Sequence, residues 1–163
     1  MAQIELMAKN LSGSFDMLKT HLADFSDADM LVRPVPTANH AAWQIGHLLV
    51  FEAMLCGMYA PQTVIQLPAD AQNTYGKEGA SSDDASKFFG KEEGLALLGK
   101  AHAALVDWAK GLSETDLGKP GPEPFKGWVN TIGELVLAIP SHLTMHVGQF
   151  QVIRRKLGKK YIF

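Results

Sequence analysis

Apolar residues recur every three or four positions in four separate stretches of this chain. In residues 3–23, Ile4, Met7, Leu11, Phe15, Leu18 and Leu22 keep that spacing, which places them on one helical face. A polar connector follows at 24–29, where Ser26 and Asp29 have the spacing of a capping box for a brief turn. Arg33-Pro34-Val35-Pro36 is then extended, because each proline disfavours a helical residue before it. The second helix opens near Asn39, a favourable N-cap. Trp43, Gln44, His47, Leu48, Phe51, Met54, Leu55 and Met58 form its broad stripe, which ends before Pro61. A third helix spans 91–111, with Leu95, Leu98, His102, Leu105, Trp108 and Ala109 inward. The fourth opens at Thr131, with Glu134 completing a Thr-x-x-Glu box, and runs through Pro140 to about Lys156. Gly158 is its C-terminal stop, and Arg154, Arg155 and Lys156 suit its negative end.

Residues 60–90 lack periodicity and are rich in Gly, Ser, Asp, Gln and Asn, apart from a short helix expected at 82–89 under a Ser82 cap. A connection of that length in a compact domain is usually functional. The loop at 113–130 carries Pro120, Pro122 and Pro124. Four helices with little strand signal predict an all-α four-helix bundle, with a long connection between the second and third helices. The 163 residues fit one domain over 1–163.

Composition narrows the function. Fifteen Lys and Arg against 17 Asp and Glu leave a net charge of −2, which argues against a nucleic-acid binder working through a basic face. A single cysteine, Cys56, excludes an internal disulfide and any cysteine-rich zinc site, and fits a reducing compartment. The apolar stretches at 45–59 and 132–147 are broken by His47, Glu52, Glu134, His142 and His146, short of the roughly 18 apolar residues of a membrane span. The first ten residues lack a secretory apolar run. The expectation is a cytoplasmic protein acting on a small molecule, without nucleic acid or membrane.

The fourth helix carries the chemistry. Leu135, Ile139, His142, His146, Gln149 and Ile153 are spaced 4, 3, 4, 3 and 4, the seam facing its neighbours, yet three of the six are polar. His142 and His146 lie one turn apart and point the same way. Each buried polar group without a partner costs about 1–3 kcal/mol. A divalent metal resolves the conflict, because each neutral imidazole offers a lone pair. A third ligand must come from another helix, and His47, within the second helix's apolar stripe, is the best placed. Satisfied core histidines are the competing reading. Gln149, one turn beyond His146, is a candidate for orienting a ligand or bound water, or for a helix-interface hydrogen bond. Cys56 reads as a small core residue, His102 as a core hydrogen-bonding group, and His21 and His40 as solvated or cap-associated. Trp128, in a loop, is a candidate for facing substrate. Val147, Phe150 and Ile153 suggest an outer apolar face for self-association.

Asn39-x-x-x-Trp43-x-x-Gly46-His47-Leu48, then His142-x-x-x-His146-x-Gly148-Gln149 and Arg154-x-x-Leu157-Gly158, together resemble the DinB/YfiT-like superfamily. Phe25-Ser26-Asp27-Ala28-Asp29 followed by Arg33-Pro34 fits the same pattern. The resemblance spans nearly the whole chain except 60–90. It implies a four-helix bundle, often a homodimer, with nickel or zinc held by one histidine of the second helix and two of the fourth. Those positions match His47, His142 and His146. It further implies an S-transferase or isomerase using a low-molecular-weight thiol. A metal-dependent hydrolase and a non-catalytic metal-stabilised bundle are the alternatives.

Overall fold

The computed structural model describes residues 3–162; Met1, Ala2 and Phe163 of the expected 1–163 domain lie outside the described residues. The protein is all-α. Four long helices, α1 (Gln3–Leu22), α3 (Ala41–Tyr59), α5 (Lys91–Lys110) and α7 (Ile132–Lys156), alternate with the short α2 (Asp27–Met30), α4 (Ala71–Thr74) and α6 (Glu114–Leu117). The only pairing outside helices among the described residues is an isolated bridge between Pro120 and Thr131, which closes the loop before α7.

Local chemistry explains the boundaries. Ser26 and Asp29 form the expected reciprocal capping box at α2. Ser113 and Asp116 form a second one at α6, which the helical periodicity alone does not reveal. The cap of α3 is His40 rather than Asn39. Its Nδ1 accepts from the Trp43 N–H at 3.1 Å, while its Nε2 donates to the Ser82 carbonyl at 3.1 Å. Thr131 caps α7 as expected, but the Glu134 carboxylate reaches back to the Asn130 N–H at 2.7 Å, one residue beyond the box geometry. Gly158 sits just past the α7 C-terminus at φ +67, a left-handed conformation that suits glycine.

The core follows from the faces. α1 packs along α7 and α5, and α3 packs along α5 with a smaller contact to α7. Leu11, Leu18 and Leu22 of α1, Leu48, Leu49 and Leu55 of α3, Leu98 and Leu105 of α5, and Leu135, Ile139, Leu143, Phe150 and Ile153 of α7 are all buried. Each such side chain contributes about 1.5–3 kcal/mol by leaving water. α3 is long and apolar enough, by length and composition, to cross a membrane, but two thirds of it is buried within the protein, which accounts for its apolarity. Val147, Phe150 and Ile153 do not form an outer face. They are 4%, 0% and 0% exposed, and the apolar side chains that α7 turns outward are Leu137, Met145 and Val152.

Residues 60–90 are not structureless. They contain α4 and two single 3₁₀ turns, Gly79–Ser81 and Ala85–Lys87, the latter capped by Asp84 rather than Ser82. Arg33 fastens the segment, donating to Asp83 Oδ1 and to the carbonyls of Ala80 and Ser82. Trp43 Nε1 donates to the Gly76 carbonyl, and the Phe89 N–H donates to the Tyr75 hydroxyl.

Candidate metal centre

Two helices and one loop meet at three histidines. His47 projects from the middle of α3, and His142 and His146 project from consecutive turns of α7. One ring nitrogen from each lies within 4.8 Å of the other two. His146 is buried, and the other two are half-buried.

Hydrogen bonds decide which nitrogen of each ring faces the cluster. The Asn39 carbonyl can only accept, so the Gln44 amide nitrogen, 2.8 Å away, must face it. The Gln44 oxygen is thereby turned to His146 Nδ1, at 2.8 Å, which must carry the proton. That leaves the lone pair on His146 Nε2. His47 Nδ1 likewise donates to the Tyr75 carbonyl at 3.1 Å, which leaves its Nε2 free to bind. The Trp43 indole stacks on His47 at 4.8 Å and nearly parallel, fixing the ring plane. Ligating histidines typically donate their second N–H in this way to a carbonyl or carboxylate, which sets tautomer and orientation.

The remaining contact tests the fit to a metal. His142 Nε2 and His146 Nε2 face each other at 3.3 Å. Two facing ring nitrogens need a proton or a cation between them. Ligands about 2.1 Å from a tetrahedral ion stand about 3.4 Å apart, so the spacing suits a shared metal. His142 Nδ1 is buried with no hydrogen-bond partner among the described residues, so no second contact fixes this ring as in His47 and His146. Burial, with the charges of His142 and His47, pushes His146 down to about 3. Burial, with the charge of His47, pushes His142 down to about 4. Burial also lowers His47, against the pull of the Tyr75 carbonyl. All three rings are therefore neutral at pH 7, the state in which imidazole binds metal.

Gly46 makes the loop contact possible. A Cβ there would lie 1.9 Å from the Tyr75 ring, so only glycine lets Tyr75 seat against α3 and aim its carbonyl at His47. Beside His47 lies a cavity of about 200 Å³, walled by Val50, Phe51 and Met54 of α3, by Gln72 of α4 and by Tyr75 and Gly76 just after it.

A sequence model of the DinB superfamily matches residues 10–150. The chain belongs to the DinB superfamily. Its fold is similar to a crystal structure described as a conserved protein of locus from Enterococcus faecalis, with a TM-score of 0.70 and 17% sequence identity. The superposition covers 98% of this chain and 99% of that one. No curated protein matches the sequence.

In this DinB-superfamily chain the three expected histidines come together. Gln149 is half-buried on α7, and the amide that reaches His146 belongs to Gln44. Cys56 is buried, with Sγ 3.4 Å from the Ala101 carbonyl, and burial raises its thiol to about 11. It is a core residue. His21 and His40 are buried, 1% and 0% exposed: His40 is cap-associated, as the N-cap of α3, and His21 Nδ1 lies 2.9 Å from the Met17 carbonyl.

Proposed function

We propose that this protein is a metal-dependent enzyme in which His47, His142 and His146 hold one divalent transition metal through their Nε2 atoms, and that its activity is thiol S-transfer. The carrying observation is the convergence of three neutral ring nitrogens whose other nitrogens, in His47 and His146, are committed to Tyr75 and Gln44. Three protein ligands leave room for an exogenous one, the mark of a reactive rather than a structural site. Nickel and zinc both suit an all-imidazole set. When bound, such an ion lowers the pKa of a coordinated thiol and supplies a nucleophile at neutral pH.

The chain's own residues do the rest. Gln44 and Tyr75 hold the ligating rings, and Trp43 fixes the plane of His47. Gln149 is assigned the orienting of the exogenous ligand. No carboxylate lines the cavity beside His47 among the described residues, which supports thiol chemistry over hydrolysis assisted by a general base. The fold reads as a four-helix bundle of the four long helices. A cytoplasmic homodimer is proposed with it, supported by the outward Leu137, Met145 and Val152. A monomer in sedimentation at micromolar concentration would remove the dimer.

The test is bound metal by elemental analysis. Wild type should carry about one transition metal per chain, and His47→Ala and His146→Ala should lose it. A His146→Ala variant with full metal content would overturn the site. A metal-loaded protein whose cobalt spectrum ignores every thiol and azide would leave a metal-stabilised bundle without catalysis.

A further inference from the structure

The surroundings of the three histidines specify what the site accepts. From His142, aromatic contacts run outward without a break. The Phe51 ring stands edge-on to His142 at 4.8 Å, Phe125 lies 5.5 Å from Phe51, and Trp128 lies 5.8 Å from Phe125. Trp128 is 57% exposed, so the track ends in solvent. The cavity of about 200 Å³ beside His47 shares Phe51 with this track and adds Val50 and Met54 to its wall.

Charge is missing from this path. None of the cavity-lining side chains is acidic or cationic; Gln72 supplies the only amide. Nearest to Trp128 along its loop, Glu123 and Lys126 are exposed and pair with each other at 3.5 Å. Apart from the ion that the histidines would hold, a carboxylate entering here meets no cation among the lining side chains and loses water, a cost of several kcal/mol for an unpaired charge. An apolar body gains by leaving water. A cavity of about 150 Å³ lined by apolar side chains holds a benzene-sized molecule.

We propose that the ligand received beside His47 is a small uncharged molecule with an apolar, ring-bearing body, held by Val50, Phe51 and Met54, and that carboxylate-bearing thiols of similar size are turned away. The proposal rests on the metal reading above and narrows it.

The test is a titration of the cobalt-loaded protein, followed by its visible spectrum, with benzyl mercaptan, methyl 3-mercaptopropionate and 3-mercaptopropionate. Benzyl mercaptan should bind at least about tenfold more tightly than the free acid, with the methyl ester between them. Met54→Lys places a cation in the cavity and should move the order toward the acid. Phe51→Ala should narrow the ratio while metal content stays at the wild-type level. Equal affinities, or a wild-type preference for the acid, would overturn the proposal while leaving the metal site standing. A cobalt spectrum indifferent to all three thiols and to azide would instead overturn the open-site reading, and the proposal with it. Benzyl alcohol added to the metal-free protein gives a separate reading of the cavity. It should change the tryptophan emission in wild type and less in Phe51→Ala, and an unchanged wild-type emission at millimolar alcohol would also overturn the proposal.

Discussion

The Gln44 side chain is fixed at both ends, its N–H on the Asn39 carbonyl and its oxygen on His146 Nδ1, each at 2.8 Å. It therefore sets the tautomer of a ligating ring without touching a metal itself. Replacing it by leucine keeps the bulk, strands the His146 N–H, and should weaken metal binding about 10–100-fold, with a loss of fold stability of about 1–3 kcal/mol for the stranded group. Competition against a chelator of known affinity checks this; an unchanged affinity would remove Gln44 from the site. The three histidines were legible in the sequence because helical spacing alone puts His142 and His146 together and His47 on an inward stripe. The role of Gln44 was not, because it depends on which way an amide turns. Tyr75 was less legible still. Its contribution is a backbone carbonyl, which any residue type could offer, and its position depends on the bare Cα of Gly46.

At the scale of elements, one buried pair joins three helices. His102 of α5 has Nδ1 2.9 Å from Glu52 Oε1 of α3 and Nε2 2.9 Å from the Leu11 carbonyl of α1, with Phe15 stacked on its ring. The carbonyl only accepts, so Nε2 carries a proton, and a second proton is shared between Nδ1 and the carboxylate. Burial pushes the Glu52 carboxyl up, against the pull of His102. Burial opposes the His102 charge, but the hydrogen bond and charge of Glu52 outweigh it and raise the imidazole. The folded pair thus keeps a proton that the unfolded chain releases above pH 6.5. Its stabilisation is full below that value and fades as pH rises through the folded pKa, by up to about 1.4 kcal/mol per pH unit. Urea denaturation between pH 6 and 9 should therefore show wild type losing its advantage over Glu52→Gln as pH rises; parallel profiles would refute the shared proton. Helix ends matched the periodicity to within about a residue or two because caps and apolar faces are local signals. Glu52, five residues after His47, points to another face of α3, and nothing local reveals that His102 waits on that side.

At the scale of the whole molecule, the least readable segment is fastened by residues distant from it in sequence. Residues 60–90 look unstructured in composition, yet Arg33, His40 and Trp43 bind the carbonyls of Ser82, Ala80 and Gly76. Such anchoring comes from residues distant in sequence, so no window on the chain could show it. The Tyr75 carbonyl makes this segment a party to the metal equilibrium. A loop that holds His47 in its binding pose must, by reciprocity, be held more firmly when that pose is occupied. Adding zinc or nickel should slow amide hydrogen exchange across residues 70–83 more than in α1, and Arg33→Ala, which does not touch the histidines, should weaken metal binding. Exchange rates indifferent to metal would break the link. If the link holds, protease sensitivity of this one stretch becomes a gauge of how much of the protein in a cell carries its ion.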